Sequence, residues 1–350
     1  MLLKSLHLSH IRSHQGFELP DASQATLVVG KNGSGKSTIL ESVHLLSTGS
    51  SDRAEKIAEL IQFDQEVGRI RAEVVDGSQT DKPIVIEALL TPGVVGGRRT
   101  QSRLWSVNGV RRTHAKVKEC IRSVLFRPED MRLVEGSPGR RRNYLNSPLS
   151  QVQTEYARSL KSYEQFLLRR NKLLTAVREG EQPRSVLHYW TEGILKHGQV
   201  LQDQRQKYIE EINRYDLPIS YRALYLPSLL NESRLHEYAE REIAAGHTLI
   251  GPHKDDLDVE MTTSSPPVSV LTYGSRGQQR LAVLWLKMAE LEFIAQQTKE
   301  SPILLLDDIF SELDLESQQI VLALLPKQQT ILTTVEETDA SLYTWDVIRL

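Results

Sequence analysis

The chain has 350 residues, 39% of them hydrophobic and 25% charged, a composition ordinary for a globular protein of one large or two smaller domains. Its net charge of −2 excludes a uniformly basic nucleic-acid-binding protein, so any such surface must be a local patch. The single cysteine, Cys120, excludes an internal disulfide and a cysteine-based zinc site and favours a reducing, cytoplasmic location. No apolar run approaches the roughly 20 residues that a membrane helix needs.

The N-terminal part of the chain is predicted to be rich in strands. Short segments with β-branched or alternating apolar residues carry this prediction: Leu2–Leu8, Phe17–Leu19, Ile70–Val75 and Ile84–Leu89. Turn residues then interrupt the pattern at Thr91–Gly93 and Gly96–Gly97. Beyond them, Asn108–Gly109 predicts a two-residue hairpin turn, because both central positions of such a turn need positive φ.

A glycine-rich loop lies between a predicted strand, Thr26–Val29, and a predicted helix, Ile39–Leu46. The loop fits G-x-x-x-x-G-K-[ST] and consists of Gly30, Lys31, Asn32, Gly33, Ser34, Gly35, Lys36, Ser37 and Thr38. In such a loop the backbone N–H groups and the following helix face phosphate oxygens. We expect Lys36 to reach the β- and γ-phosphates and the Ser37 hydroxyl to ligate Mg²⁺. A plain glycine turn is the alternative, but the full pattern in this setting favours a nucleotide-phosphate site.

Basic residues accumulate without acidic ones from Ala88 to Lys118. They are Arg98, Arg99, Arg103, Arg111, Arg112, Lys116 and Lys118, and a second cluster follows at Arg140, Arg141 and Arg142. A solvated face is the ordinary interpretation of a charge run. An acid-free stretch inside an acidic protein makes contacts with a nucleic-acid phosphate backbone an equal alternative, without sequence specificity. The candidate contacts are Arg111, Arg112, Arg140, Arg141 and Arg142.

Residues 150–215 change to a helical pattern, with apolar residues three and four apart on two long segments separated near Pro183. Such stripes are more typical of an antiparallel helical pair with its own core than of a partner surface. We interpret 128–246 as a mainly helical insertion into a nucleotide-binding domain formed by 1–127 and 247–350.

Two carboxylates follow a wholly apolar segment, Ile303–Leu306, near the C-terminal end of the chain. The segment is typical of a buried parallel strand, and ligands lie beyond the carboxyl ends of such strands. We expect Asp307 to hold Mg²⁺ with its waters and Asp308 to polarise the attacking water. A core strand that happens to end in acidic loop residues is the alternative.

A second glycine-containing turn, Tyr273–Arg280, precedes an apolar helix at Leu281–Phe293. Glycines before a helix can form an amide cradle for anions, although Gly-Ser turns of this kind are common. The position of this turn shortly before the paired aspartates makes it informative. After the aspartates, Ser311–Asp314 is predicted to cap a helix at Leu315–Leu325.

Together these motifs resemble the heads of ATP-binding cassette ATPases. The glycine-rich loop resembles Walker A, Ser275–Gln278 the signature motif, Asp307–Asp308 Walker B, and Ser311–Asp314 the D-loop. Within this superfamily the chain resembles the RecF family of bacterial recombination mediators, through blocks that transporter ATPases lack. These blocks are Phe126–Asp130 with Arg140–Arg142, Tyr163 with Arg170–Asn171, and Gly251–Asp256. The resemblance implies an α/β P-loop head of the ABC type with an inserted α-helical domain.

The resemblance also implies an ATP-dependent homodimer, with ATP and Mg²⁺ held between the Walker A loop of one protomer and the signature motif of the other. Ser275, Gly277 and Gln278 would contact the partner's nucleotide, and Lys36, Asp308 and Ser275 would carry slow, DNA-dependent hydrolysis. The implied function is binding to double-stranded and gapped DNA, including single-strand/double-strand junctions. There the family acts with RecR and RecO to load RecA in repair, recombination, replication-fork maintenance and the SOS response.

The sequence departs from the superfamily pattern at several positions. Asp308 stands where a glutamate is usual, which suits a slow switch, and RecF generally shares this aspartate. Threonine in Ile331–Thr334 stands where a switch histidine is usual, and the glutamine loop has only a positional counterpart around Phe126–Asp130.

Other functional classes fit the sequence less well. A transporter ATPase subunit would have a much shorter segment between Walker A and the signature motif. A chromosome-structuring head would carry a long heptad coiled coil, for which 128–246 is too short and too interrupted. An ATP-switched DNA clamp that does not hydrolyse ATP stays open as an alternative.

Overall fold

The computed structural model describes residues 2–51, 53–75, 82–217, 221–262, 266–336 and 343–350. The chain forms two compact units, one of Met1–Met131 with Glu290–Leu350 and one of Arg132–Ala289. Among the described residues, no helix is both long enough and apolar enough to cross a membrane. The division into a head and an insertion of 128–246 stays a prediction.

The described strands and helices are numbered in chain order. The strands are β1 (Leu2–Ile11), β2 (His14–Leu19), β3 (Ala25–Val29), β4 (Gly68–Val75), β5 (Ile84–Leu90), β6 (Val94–Val95), β7 (Arg98–Arg99), β8 (Arg103–Val107), β9 (Val110–Arg112), β10 (Ser123–Phe126), β11 (Tyr221–Leu226), β12 (Asp256–Met261), β13 (Val268–Ser269), β14 (Ile303–Asp307), β15 (Thr330–Thr334) and β16 (Asp346–Arg349). The helices are α1 (Lys36–Thr48), α2 (His114–Val117), α3 (Pro138–Val152), α4 (Thr154–Arg178), α5 (His188–Ile212), α6 (Glu232–Ala245), α7 (Val270–Tyr273), α8 (Arg276–Thr298) and α9 (Leu315–Leu322).

A parallel five-stranded sheet in the first unit has the order β10-β14-β15-β3-β16. Every residue of β14 is buried, as expected for a continuous apolar run in a parallel sheet. Because parallel strands end at the same edge, the segments that follow β3, β14 and β15 meet there. This edge brings together the glycine-rich loop, Asp307 and the threonines of β15.

An antiparallel six-stranded sheet in the same unit has the order β2-β1-β4-β5-β8-β9. Buried and exposed residues alternate along β4, so one face packs on the core and the other meets solvent. One continuous core joins Leu6 of β1, Leu40 of α1 and Leu305 of β14. The predicted β8–β9 hairpin is confirmed, with φ of 51° at Asn108 and 74° at Gly109.

In the second unit, α4 and α5 pack against each other over most of their length. Phe166 of α4 lies 5.4 Å from Trp190 (ring centroids), and Arg170 Nε donates to the Thr191 hydroxyl at 3.1 Å. Nearer the other end, Arg205 Nε donates to the Tyr156 hydroxyl at 3.1 Å. Higher residue numbers on α4 therefore face lower numbers on α5, and the predicted antiparallel pair is confirmed.

The predicted strands and helices are present in the structure, but some helices differ in their bounds. The helix predicted at Leu281–Phe293 spans Arg276–Thr298, because Ser275 caps it within the turn predicted at Tyr273–Arg280. The helix predicted at Leu315–Leu325 ends at Leu322, and a 3₁₀ turn follows at Leu325–Lys327. Pro326 explains the early end, because proline cannot continue the helical hydrogen bonds and disfavours helical geometry at the residue before it.

Candidate nucleotide site

The Walker A loop (residues 30–38) connects β3 to α1 and depends on its glycines. Gly35 precedes α1 with φ of 99°, a conformation that side chains rarely adopt. A Cβ at Gly35 would also lie 2.2 Å from the His14 ring, whose Nε2 is 3.1 Å from the Gly35 carbonyl oxygen. The turn between β1 and β2 thus supports the loop at the helix N-terminus, where free N–H groups and the helix dipole favour an anion.

Lys36 is the first residue of α1 and is buried. Its Nζ donates to the carbonyl oxygens of Gly30 at 2.5 Å and Lys31 at 3.1 Å. Both acceptors are neutral carbonyl oxygens, whereas a phosphate oxygen carries negative charge and attracts the ammonium group more strongly. The ammonium group can therefore exchange these carbonyls for a phosphate bound in the loop.

Ser37 and Asp307 meet across the carboxyl edge of the parallel sheet. Ser37 Oγ donates to Asp307 Oδ1 at 2.8 Å, and Thr333 Oγ1 donates to the same oxygen at 2.8 Å. Hydroxyl and carboxylate oxygens suit Mg²⁺, which usually keeps waters and binds with substrate phosphates. No group of three or more His, Cys, Asp or Glu residues in the described chain could hold a metal. This donor set therefore fits a Mg²⁺ ion bound together with a nucleotide.

Asp308 directly follows β14, and its backbone has the left-handed conformation with φ of 51°. Its N–H donates to the Thr333 carbonyl oxygen at 3.1 Å, and its own carbonyl oxygen accepts from Ser311 Oγ at 2.7 Å. Aspartate tolerates this region better than most residues. These bonds fix the backbone of Asp308 at the sheet edge that carries Asp307, and its side chain is half-buried.

The signature segment lies in the second unit and begins α8. Gln278 N–H donates to Ser275 Oγ at 3.3 Å, and Ser275 N–H donates to Gln278 Oε1 at 2.8 Å. This reciprocal pair is a capping box, which satisfies two N–H groups at the helix start. Ser275 and Gly277 are exposed, so a ligand can reach this helix terminus from solvent. In the first unit, Asp314 caps α9 by accepting from Ser317 N–H at 2.9 Å, as predicted.

The predicted basic contacts differ in their surroundings. Arg111 and Arg112 are exposed on the edge strand β9, and Arg140 is exposed on α3. Arg141 is buried and donates to both Asp256 carboxylate oxygens, at 2.6 Å and 2.9 Å. Arg142 is half-buried and donates to the Asp255 carbonyl oxygen at 3.1 Å. Within the first cluster, Lys118 is buried as well.

Two features near the nucleotide site were missed in the sequence. Arg12, in the turn after β1, makes a bidentate ion pair with Glu41 of α1 at 2.7 Å and 2.8 Å. Thr333 binds Asp307 and positions Asp308. The sequence indicated a threonine within Ile331–Thr334 but not which of the two threonines makes these contacts. No local sequence pattern identifies the Arg12–Glu41 pair or the Thr333–Asp307 pair, because the partners are far apart in the chain.

Two of the blocks outside the ATPase motifs, those of Tyr163 and Gly251–Asp256, meet inside the second unit. The Tyr163 hydroxyl oxygen lies 2.8 Å from His253 Nδ1, and Arg170 Nη2 donates to a carboxylate oxygen of Glu242 at 2.7 Å. Asn171 Oδ1 accepts from Thr248 N–H at 2.9 Å. These residues are structural partners of one another, at a place that sequence spacing alone does not indicate.

Comparisons with known proteins agree with this geometry. The family model described as the RecF/RecN/SMC N-terminal domain matches residues 2–342. A DNA replication and repair protein RecF from Heliobacterium modesticaldum is 35% identical over 95% of this chain and 92% of its own length. A RecF protein from Chloroflexus aurantiacus is 34% identical over 97% and 95%.

Solved structures show the same fold. A structure of the recombination mediator protein RecF-ATP in the RecFOR pathway has a TM-score of 0.83 and 27% identity, over 99% of this chain and 95% of that one. An Smc head bound to the C-terminal winged-helix domain of ScpA has a TM-score of 0.52 and 17% identity, over 99% and 93%. The predicted fold, an ABC-type ATPase head of mixed α/β structure, is confirmed.

Proposed function

Because the chain belongs to the RecF family of DNA replication and repair proteins, we propose that it is an ATP-dependent, DNA-binding recombination mediator. The observation that carries the proposal is the 2.8 Å contact between Ser37 of the Walker A loop and Asp307 at the end of β14. P-loop ATPases hold Mg²⁺ with these two residue types. Ser37 and Asp307 would hold Mg²⁺ together with the bound nucleotide, and the ion would supply charge neutralisation for phosphoryl transfer.

The residues of the site have separate roles in this proposal. The loop amides and Lys36 bind the phosphates, while Thr333 orients Asp307 by its hydrogen bond at 2.8 Å. Asp308 orients the attacking water and accepts its proton. Its side chain is one methylene shorter than glutamate, which supports slow hydrolysis that acts as a switch and is stimulated by DNA.

ATP binding drives the formation of a homodimer with two composite sites. The exposure of Ser275 and Gly277 at the start of α8 supports this arrangement, since these residues can approach the nucleotide of a second protomer. A closed two-fold dimer makes both sites equivalent. Ser275, Gly277 and Gln278 of each protomer then complete the site of the other.

The ATP-bound dimer binds duplex DNA at gaps and single-strand/double-strand junctions, and acts with RecR and RecO to help load RecA. Exposed Arg111, Arg112 and Arg140 contact the phosphate backbone, which gives salt-dependent binding without base readout. Arg141 is left out of this set because its guanidinium is buried against Asp256.

Mixing two inactive variants tests the composite site. Lys36→Ala removes a phosphate contact, and Ser275→Arg blocks the signature motif while its own Walker A loop stays intact. In an equal mixture with random pairing, half of the dimers are mixed and each has one intact site. About a quarter of wild-type phosphate release is expected if the sites act independently.

The adverse result is normal ATP hydrolysis by Ser275→Arg as a monomer in sedimentation, which would remove the composite site from the mechanism. Phosphate release measured with and without gapped DNA tests the catalytic part separately. A protein that dimerises on ATP and binds DNA but releases no phosphate is the non-hydrolysing clamp.

A further inference from the structure

A small hairpin in the connection from β5 to β8 forms a two-stranded sheet of its own. Val94 and Val95 of β6 pair with Arg99 and Arg98 of β7, respectively. Gly96 and Gly97 make the turn with φ of 54° and 75°, as a two-residue hairpin turn requires. A Cβ at either glycine would meet no atom within 4 Å, so the space beside both glycines is open.

The hairpin presents two free cations. Arg98 and Arg99 are exposed, and within the part of the chain that the structure describes neither guanidinium has a hydrogen-bond or ion-pair partner. Successive residues of a strand point to opposite faces, so the two side chains leave the ribbon on both sides. The major groove of DNA is wide enough to admit a two-stranded β-ribbon, with a phosphate backbone along each wall.

The base of the hairpin is continuous with the basic edge of the antiparallel sheet. Thr91 Oγ1 donates to the Gln101 carbonyl oxygen at 2.9 Å, and Arg111 Nη2 donates to Gln101 Oε1 at 2.6 Å. Gln101, Arg103, Arg111 and Arg112 line one groove at this edge. Ala88–Lys118 contains no acidic residue, so the segment that forms the groove and the hairpin is itself basic.

The hairpin turn already holds anionic oxygens. Gly96 N–H lies 3.1 Å and 3.3 Å from the two carboxylate oxygens of Glu66. Backbone N–H groups in such turns form concave sites for anions, and a phosphate oxygen meets the same need as a carboxylate oxygen. Glu66 is exposed, so its side chain is free to move away as a phosphate arrives.

We propose that residues 93–100 form a DNA-binding arm that enters the major groove of duplex DNA and contacts phosphates through Arg98, Arg99 and the Gly96 amide. The proposal rests on the proposed function, and it adds a site to the contacts of Arg111 and Arg112. The arm reads no bases, because its cations face the phosphate walls.

Fluorescence anisotropy of the full chain with a labelled gapped duplex, in Mg·ATP at several salt concentrations, tests the arm. Arg98→Ala/Arg99→Ala removes two phosphate contacts, so the slope of log K against log salt should fall by about two. Near 0.1 M salt the affinity should fall by roughly tenfold per contact. Arg98→Lys/Arg99→Lys should keep most of the affinity and most of the salt slope, since lysine also neutralises a phosphate.

Arg169→Ala/Lys172→Ala is a matched control, because both side chains are exposed on α4 and the charge lost is the same. Equal weakening by the control and the arm variant would contradict a specific arm. Unchanged affinity and salt slope in the arm variant would overturn the arm while DNA binding by the wild type still supports the proposed function. A wild type that binds no DNA would overturn both. Loss of ATP-driven dimers in the arm variant, seen by sedimentation, would assign the hairpin to the subunit interface instead.

Discussion

The nucleotide site of the first unit and the buried polar cluster of the second unit are built from similar side chains with different surroundings. In the first, Asp307 accepts from two hydroxyl groups, one of them on Ser37 of the Walker A loop, at the edge of the parallel sheet. In the second, Asp255 is fully buried and accepts from four donors: Gln202, Arg205, Tyr225 and the Ser228 N–H. The first carboxylate has capacity for a metal ion, and the second has none left.

The cations of the two regions differ in the same way. Lys36 donates to two neutral carbonyl oxygens, which a phosphate can replace. Arg205 donates to Tyr156, Pro252, Asp255 and Asn146. Burial alone would lower the pKa of Arg205, but Tyr156, Asp255 and Tyr225 outweigh it and raise the pKa. A buried ion pair with every polar atom engaged holds the fold, whereas a charged group that has only neutral partners can exchange them for an anionic ligand.

The largest predicted effect is on catalysis. Asp308→Asn keeps the size of the side chain but cannot accept the proton of the attacking water, so phosphate release should fall by about 10²–10⁴-fold. ATP binding should stay close to wild type, because in the proposed mechanism the loop amides and Lys36, not Asp308, hold the phosphates. Hydrolysis at the wild-type rate would remove Asp308 from the proposed mechanism.

In the second unit, removing a charged side chain of the buried cluster should reduce stability instead of activity. Arg205→Met leaves the Asp255 carboxylate buried without its cation, which should lower the free energy of unfolding by about 3–5 kcal/mol. Urea unfolding measures this loss. The double variant Arg205→Met/Asp255→Asn should recover part of it, because no buried charge is left unpaired. If the single and double variants were equally destabilised, the ion pair would not be the cause.

One short segment allows the two kinds of residue to be compared directly. Arg141→Ala removes four hydrogen bonds of a buried guanidinium and should lower the free energy of unfolding by about 2–3 kcal/mol. Arg140→Ala, at the exposed neighbour, should leave stability within about 0.5 kcal/mol. It should instead reduce the salt slope of DNA binding by about one. If Arg140→Ala reduced stability and Arg141→Ala reduced only DNA binding, burial would not separate the structural arginine from the DNA-binding one.

The sequence was sufficient to predict fold elements that are defined by consecutive residues. The Walker A loop, the apolar strand before Asp307, the Asn108–Gly109 turn and the helical stripes of α4 and α5 were predicted on that basis. The resemblance to the RecF family, carried by these motifs and by blocks elsewhere, is confirmed by relatives that are 34–35% identical over nearly the whole chain.

What the sequence could not provide are partners brought together by tertiary structure. Arg140, Arg141 and Arg142 are identical as residues, and the sequence does not show that Arg141 alone is buried against Asp256 and two backbone carbonyl oxygens. Gly96–Gly97 was interpreted as an interruption, although flanking Val94–Val95 and Arg98–Arg99 make it a hairpin turn. That signal was weak because each strand is only two residues long.

The smallest predicted effect is on the pH dependence of stability, and it concerns His253 at the edge of the buried cluster. Burial lowers the pKa of His253 from 6.5 to about 4. Its Nε2 lies 3.1 Å from the Thr248 carbonyl oxygen and its Nδ1 2.8 Å from the Tyr163 hydroxyl oxygen, which suits a neutral ring with the proton on Nε2. The unfolded chain therefore binds more protons than the folded protein between these two pKa values.

The stability that depends on a neutral His253 ring is fully present above pH 6.5, where the ring is neutral in both states, and it is lost as the pH falls toward 4. At pH 5 the loss should be about 1–2 kcal/mol. His114 in the first unit has its pKa lowered to about 4 by burial as well, and burial also lowers the pKa of His197, so His253→Gln should make the slope shallower without removing it. Urea unfolding from pH 7.5 to 4.5 measures the slope, with His247→Gln at an exposed histidine as the control. A slope in His253→Gln as steep as in the wild type would mean that the imidazole of His253 is protonated equally in both states, and that burial in this cluster does not keep it neutral.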